Sequence, residues 1–276
     1  MTAYIHWNPS PELLDLGFIA IQWYSLLFAL GFVFSFQILK REFTKDGYPV
    51  LLLEKLTVYV VLATLIGARL GHCFFYDWAY YKDHLLEIVL PIETQPVFRF
   101  TGFRGLASHG GALGIFIALV LFARKFKVSF LWILDKMALV IPLAGACIRF
   151  GNLMNSEIIG KPTDLPWAFI FEKVDGVPRH PGQLYEALCY LVLFALIHIV
   201  NRSGKRKPGF LFGLFLLLLF VIRFFIEFLK ENQSAFEEGM QLNMGQLLSI
   251  PFILLGLFFM FRPGSKGVVK SDIHRT

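Results

Sequence analysis

Charged residues are scarce in this chain. Only 17% of its 276 residues are Asp, Glu, Lys or Arg, whereas a soluble domain usually has about 25%. Hydrophobic residues make up 56%, Phe alone supplies 31 positions, and the mean hydropathy is +0.62. One globule of this size cannot hide so much apolar surface, so the composition excludes soluble classes and indicates a polytopic membrane protein.

The chain is also poor in cysteine and lacks the spacing patterns of metal sites. Its three cysteines, Cys73, Cys147 and Cys189, all lie inside apolar runs. Because there is no CxxC or HExxH pattern, we predict neither a disulfide framework nor a zinc site, and interpret the thiols as small buried hydrophobic groups. Glu12 and Asp15 precede the first apolar run where a signal peptide would be basic, so no cleaved signal peptide is expected.

Seven apolar runs approach or reach the roughly 20 residues that cross a bilayer as a helix. The third is short, and either starts earlier, near Gly105, or is partly re-entrant. We therefore predict an all-α integral membrane protein, organised as one polytopic domain over residues 1–276. The predicted spans are 17–39, 55–76, 109–123, 129–149, 183–200, 209–229 and 245–261.

The basic residues between these runs predict the orientation. One set of short loops, together with the C-terminal tail, holds fourteen Lys and Arg, whereas the longer loops of the other set hold seven. The denser set is expected in the cytoplasm, which places the N-terminus outside and the C-terminus inside. This distribution also explains the net charge of +6, so nucleic-acid binding is not expected.

Two long segments, about 77–108 and 150–182, lie on the predicted outer face. Both are rich in Pro, Gly and aromatic residues, while the inner loops are minimal. Long loops on one face of a scaffold usually carry the function. Chemistry is therefore expected at the outer leaflet.

Charges inside predicted spans are costly and are candidates for function. Arg149 is one of these charges, and it begins a candidate site, because Asn152 and then Asn155 follow at steps of three residues on one helix face. A guanidinium flanked by carboxamides suits a phosphate oxyanion. The alternative is a structural network in which Arg149 pairs with Glu157. Further charges inside spans are Arg69, Asp135, Arg223 and Glu227.

Arg223 and Glu227 are four residues apart in the sixth span and share a helix face. They form either an internal salt bridge or a second cation, oriented by Glu227, that is aimed at the same anion. Tyr24, in the outer half of the first span, could point its hydroxyl into the bundle.

A histidine at a helix start is the candidate base. His109-Gly110-Gly111 opens the third run, where free helix N–H groups and glycines allow a substrate to come close to the backbone. His109 could take a proton from a thiol or hydroxyl, or could be a structural hydrogen-bonding residue. A second stretch, Arg179 to Glu186, has the features of a helix start, and its His180 is the weaker base candidate.

Taken together, these residues suit an enzyme that acts on an anionic phospholipid. A transporter for an anion is the main rival, but no internal repeat is evident. An acyltransferase or an aspartyl protease is a second rival, although Asp135 is the only aspartate well inside a span. An assembly factor without an active site is the third.

The same residues resemble the prolipoprotein diacylglyceryl transferases of bacteria. The family signature is approximately Gly-Arg-x-Gly-Asn-Phe-x-Asn-x-Glu-x-x-Gly, and the chain matches it from Arg149 to Gly160, with Ile148 in place of the leading Gly and Leu153 in place of Phe. Six further blocks match in family order over nearly the whole chain. They are Trp23-Tyr24, Gly67 to Gly71, Ser108 to Gly111, Arg179 to Glu186, Arg223 to Phe228, and Met244 to Pro251.

The resemblance implies the first step of lipoprotein maturation in the bacterial inner membrane. An sn-1,2-diacylglyceryl group would move from phosphatidylglycerol to the lipobox cysteine thiol in the signal peptide of a prolipoprotein, giving a thioether and sn-glycerol 1-phosphate. No cofactor or metal is implied.

By the same resemblance, Arg149 and Arg223 would hold the lipid phosphate and His109 would be the thiol base, although deprotonation assisted by an arginine or by water stays open. The remaining implied site residues, without separate roles, are Tyr24, Asn152, Glu157, Gly160 and Glu227.

Overall fold

The computed structural model describes residues 4–15, 17, 20–90, 92–94, 99–100, 105–204, 206–231 and 239–263. Some basic residues that predicted the orientation lie outside these ranges, and so does part of the first outer segment. Those basic residues are Arg104, Lys205, Lys266, Lys270 and Arg275.

The described residues form a largely helical protein. A short 3₁₀ turn, Glu227–Leu229, follows the ninth helix directly. The helices are α1 Trp23–Lys45, α2 Val50–Phe75, α3 Trp78–Tyr81, α4 Leu85–Val89, α5 Ser108–Phe126, α6 Phe130–Ala138, α7 Ile141–Met154, α8 Gly182–Arg202, α9 Phe210–Ile226 and α10 Met244–Phe261.

The prediction of an all-α integral membrane protein is confirmed. Among the described residues, six helical segments are long and apolar enough to cross a membrane, and the number is seven, as predicted, if the bent pair α6 and α7 forms one span. The third predicted span is a continuous helix of 19 residues that begins at Ser108. The chain is thus a multi-pass membrane protein.

The fourth span is bent by 44° between α6 and α7. Pro142 lies in the first turn of α7 and explains the break. Proline has no N–H to donate, and its ring clashes with the carbonyl four residues earlier, which here belongs to Ala138, the last residue of α6.

Short strands lie outside the helices and were not part of the all-α prediction. Strand β2 pairs antiparallel with β3, so α1 begins at Trp23 and not at the predicted residue 17. A second sheet has the order β1-β6-β7, with β1 parallel to β6 and β7 antiparallel to it. The strands are β1 Ile5–Trp7, β2 Glu12–Asp15, β3 Ala20–Gln22, β4 Ile92–Glu93, β5 Arg99–Phe100, β6 Phe169–Phe171 and β7 Pro178–Arg179.

The contacts divide the chain into two compact units. The first contains residues 1–39 and 134–276, and the second contains residues 40–133. In the first unit, α8 packs against both α7 and α9, and α9 packs along α10. In the second unit, α2 packs along α5. The organisation of residues 1–276 as one domain stays a prediction.

The α2–α5 packing depends on glycines that let the two backbones touch. A Cβ added to Gly110 would lie 2.2 Å from the carbonyl oxygen of Gly67, and one added to Gly71 would lie 2.7 Å from the Cα of Gly110. Small residues commonly allow such close helix approach in membranes. Gly110 therefore faces helix α2, whereas the sequence suggested a glycine left open to a substrate.

Two of the charges inside the predicted spans hold helix ends. In the first unit, the Asp135 carboxylate accepts hydrogen bonds from the backbone N–H groups of Gly209 (2.7 Å) and Phe212 (2.9 Å), which cap the start of α9. In the second unit, Arg69 donates to the carbonyl oxygens of Glu87 and Ile88 at the end of α4. These contacts give both charges a structural role.

Candidate active site

The residues of the family signature come together at the end of α7, in the first unit. The Arg149 guanidinium donates to the Asn152 side-chain oxygen at 3.2 Å, and the Asn152 amide donates to the Glu157 carboxylate at 2.9 Å. Asn155 donates to the other oxygen of Glu157 at 3.1 Å. Gln183, at the start of α8, donates to the Glu157 backbone carbonyl. A continuous chain of hydrogen bonds thus fixes the segment after α7.

Arg149 pairs with a carboxylate from the neighbouring helix. Its Nε is bonded to Glu186 of α8, which is fully buried. The alternative pairing with Glu157 is wrong, because Glu157 is exposed and reaches Arg149 only through Asn152. Tyr190, one turn after Glu186 and buried, also interacts with the Arg149 guanidinium.

Lys230 extends this charge network. Its Nζ lies 3.5 Å from Glu186 and 3.1 Å from Glu227, and all three side chains are buried. Of the two alternatives for Arg223 and Glu227, the internal salt bridge is absent from the described residues. Glu227–Leu229 form a 3₁₀ turn, in which residues three apart eclipse one another, so Lys230 comes to lie beside Glu227.

Arg223 has no anionic partner among the described residues. Its side chain is partly buried, and no residue of the described ranges forms a hydrogen bond or ion pair with its guanidinium. Tyr190 interacts with it electrostatically, as it does with Arg149. Of the two arginines beside Tyr190, Arg149 is therefore neutralised by Glu186, whereas Arg223 is available for an anion within the part of the chain that the structure describes.

Tyr24 joins this group from the start of α1. Its ring lies so close to α7 that a Cβ on Gly151 would be 2.7 Å from the Tyr24 Cδ2 atom. Both Glu157 and Arg149 interact electrostatically with the Tyr24 hydroxyl. The glycine of the signature thus lets the phenol pack between the helix and the polar chain.

Gly160 lies where three backbone segments cross. It forms a bridge with Lys230, and its N–H donates to the His180 carbonyl at 3.0 Å. A Cβ here would lie 2.5 Å from that carbonyl oxygen and 2.7 Å from the Leu229 carbonyl oxygen. This crossing accounts for glycine at residue 160 by backbone packing, and it brings the 3₁₀ turn beside the start of α8.

A second ion cluster holds the outer segment of the first unit. Arg179 pairs with Asp175 at 2.6 Å and with Glu231, and it donates to the Gly160 carbonyl. The Arg179 guanidinium lowers the pKa of the Asp175 carboxyl below its ordinary value. Burial lowers the pKa of nearby His180, whose Nδ1 lies 3.3 Å from the Tyr185 hydroxyl. This cluster fixes the segment that includes Gly160.

His109 belongs to the second unit. It is the second residue of α5, and its side chain is exposed. The neighbouring Gly110 is in contact with α2, which fixes the orientation of this helix start. The His109 imidazole is therefore accessible at a helix start whose backbone is held by packing against α2.

Three site residues were missed or undervalued by the sequence reasoning. Glu186 was named only as the end of the stretch Arg179 to Glu186, and no partner was predicted for it. Tyr190 follows Glu186 by four residues, and this spacing could have indicated that both face Arg149. Lys230 was one of the seven cations counted in the longer loops, although its spacing of three residues from Glu227 signals a pair.

Comparison with known proteins identifies relatives that cover nearly the whole chain. The family model described as prolipoprotein diacylglyceryl transferase matches residues 11–262. The phosphatidylglycerol–prolipoprotein diacylglyceryl transferase of Bacteroides fragilis is 49% identical over 270 residues, which cover 96% of this chain and 98% of that protein. The enzymes of the same name from Tolumonas auensis and Chloroherpeton thalassium are 44% and 40% identical, over 93% and 95% of this chain and 96% and 95% of theirs. The chain belongs to the prolipoprotein diacylglyceryl transferase family.

Proposed function

We propose that this protein transfers the sn-1,2-diacylglyceryl group of phosphatidylglycerol to the lipobox cysteine of a prolipoprotein. The products are a thioether-linked lipid on the cysteine and sn-glycerol 1-phosphate. Relatives that carry this name cover nearly the whole chain. The observation that carries the proposal is the unpaired guanidinium of Arg223 beside the buried cluster around Arg149.

A free guanidinium within a span is a receptor for one anionic group. Two neutral pairs lie beside Arg223: Arg149 pairs with Glu186, and Lys230 pairs with Glu227. The positive charge of Arg223 is therefore the one charge in this group that is not compensated. The phosphodiester of phosphatidylglycerol carries one negative charge and neutralises it. Arg223, with Arg149 beside the same Tyr190, is the proposed phosphate site.

The reaction is a displacement at carbon. The cysteine thiol loses its proton, and the sulfur attacks the glyceryl carbon that is esterified to phosphate. A carbon–sulfur bond forms, the carbon–oxygen bond breaks, and its electron pair stays on the oxygen of the departing glycerol phosphate. Negative charge on this group grows during the step, so arginine donors bind the transition state more tightly than the substrate.

His109 is the proposed acceptor of the thiol proton. The resemblance assigns it this role, and its exposed position at the start of α5 leaves the imidazole accessible. Tyr24, Asn152 and Glu157 are proposed to keep Arg149 oriented through the hydrogen-bond chain.

The proposed location is the bacterial inner membrane, with the site toward its outer leaflet. The density of basic residues in one set of loops supports a cytoplasmic C-terminus and an outer N-terminus. The end of α7 and the start of α8 flank the segment 150–182, which this orientation places outside.

The test replaces Arg223 rather than Arg149, because loss of Arg149 would leave Glu186 buried without its arginine. Purified Arg223→Gln protein is given phosphatidylglycerol and a lipobox peptide, and the peptide mass is followed. We expect turnover to fall by about 10²–10³-fold, the effect of removing one donor to a developing oxyanion. Arg202→Gln, an exposed arginine at the end of α8, is the matched control and keeps wild-type turnover. Equal turnover of both variants would contradict the assignment.

A further inference from the structure

Glu227 lies between two cations of the same chain segment. Arg223 precedes it by four residues and Lys230 follows it by three, so either cation could pair with its carboxylate. Lys230 forms the pair, at 3.1 Å, and no ion pair to Arg223 is present in the described part of the chain. The availability of Arg223 for an anion therefore depends on which cation Glu227 binds.

Lys230 is held firmly in this position. The residue is 1% exposed, its backbone bridges to Gly160, and its ammonium also faces Glu186 at 3.5 Å. Its aliphatic stem passes Gly182, where an added Cβ would lie 3.3 Å from the Lys230 Cγ atom. Two segments, the backbone at Gly160 and the start of α8, thus direct the ammonium at the two buried carboxylates.

The start of α10 packs against the Glu227 carboxylate. Gly245, at the start of α10, approaches the carboxylate so closely that a Cβ there would lie 2.6 Å from the Glu227 Cδ atom. The carboxylate is buried, and a buried charge that loses its partner is strongly destabilising. If Lys230 loses its charge, Arg223 is the cation on the same segment that can replace it.

We propose that Lys230 is a positioning residue that keeps Arg223 free for substrate by occupying the Glu227 carboxylate. This inference rests on the proposed function, since it concerns the phosphate that Arg223 binds. Lys230 itself does not touch the lipid. Its removal would let Glu227 pair with Arg223, and the phosphate of phosphatidylglycerol would then compete with an internal carboxylate.

The test is a double-mutant cycle on KM for phosphatidylglycerol. Lys230→Gln is expected to raise this KM by about tenfold or more, the effect of masking one charge-assisted contact, with a smaller change in kcat. Lys230→Gln combined with Glu227→Gln is expected to return KM toward the wild-type value, because the Glu227 carboxylate is no longer there to bind Arg223 and Glu186 stays paired with Arg149. Lys230→Arg restores the cation and is expected to stay close to wild type.

The result that overturns the proposal is a KM that is unchanged in Lys230→Gln, or one that stays raised in the double variant. If Lys230→Gln alone does not fold, Glu227→Gln is compared with the double variant. The two are then expected to share one KM, since Glu227, the carboxylate that Lys230 withholds from Arg223, is absent from both, and a tenfold difference overturns the proposal. Failure of the proposed function is separate, because the wild-type protein would then not alkylate the peptide at all.

Discussion

Breaking the pair between Arg149 and Glu186 is predicted to destabilise the fold as well as the site. Glu186 is fully buried, and the Arg149 side chain is 16% exposed. Removing one partner of a buried ion pair costs about 3–5 kcal/mol, because the other charge is left uncompensated. Lys230, at 3.5 Å from Glu186, compensates part of this charge. We therefore expect Arg149→Gln to lower the free energy of unfolding by about 3 kcal/mol.

The assay is equilibrium unfolding in mixed detergent micelles for Arg149→Gln, Glu186→Gln and the double variant. The double variant is expected to lose about 2 kcal/mol less than the sum of the single variants, since it leaves neither charge unpaired. Its transferase activity is expected to stay low, because the guanidinium is absent. A loss below about 1 kcal/mol in Arg149→Gln, or additive losses in the cycle, would refute the reasoning. Arg202→Gln is the matched control for the charge change.

Three further predictions concern the scaffold. Gly160→Ala is expected to lower the melting temperature, because its Cβ would meet backbone carbonyls at 2.5 Å and 2.7 Å, whereas Gly176→Ala has open space and is expected to be neutral. Gly110→Ala is expected to loosen the packing of α2 on α5, seen as faster amide exchange in both helices relative to Gly176→Ala. Asp175→Asn is expected to lower the melting temperature at pH 7, since Arg179 lowers the pKa of the Asp175 carboxyl in the folded protein. This stabilisation is present above the unfolded value of 3.8 and is lost as pH falls through the folded pKa. The difference in melting temperature between Asp175→Asn and the wild type must therefore shrink in acid, and a difference that does not change with pH would contradict this prediction.

The lengths of the apolar runs predicted the membrane architecture, because every helix that crosses a bilayer needs an apolar stretch of about 20 residues. The finer boundaries depend on local effects that run length does not report. Pairing of β2 with β3 sets the start of α1, and Pro142 sets the bend in the fourth span. The β1-β6-β7 sheet joins residues more than 160 positions apart, and no local pattern indicates such a pairing.

The candidate site was predictable in its members but less so in its pairings. The resemblance named residues that the first unit brings together, among them Tyr24, Arg149 and Asn152. For Glu227 the sequence left open a salt bridge with Arg223 or a role in orienting it, and it did not indicate Lys230, because the 3₁₀ turn that brings Lys230 beside Glu227 does not show in the helical spacing. Lys230 was assigned to a loop because burial of a lysine depends on segments that are distant in sequence.

The most direct test of the proposed reaction is to locate the bond that breaks. Purified protein is incubated in ¹⁸O-labelled water with phosphatidylglycerol and a lipobox peptide, and both products are analysed by mass spectrometry. Attack of sulfur at carbon predicts alkylated peptide and glycerol phosphate in equal amounts, with no ¹⁸O in the glycerol phosphate. Glycerol phosphate that carries ¹⁸O, or that forms without alkylated peptide, would show hydrolysis of the lipid and contradict the transfer.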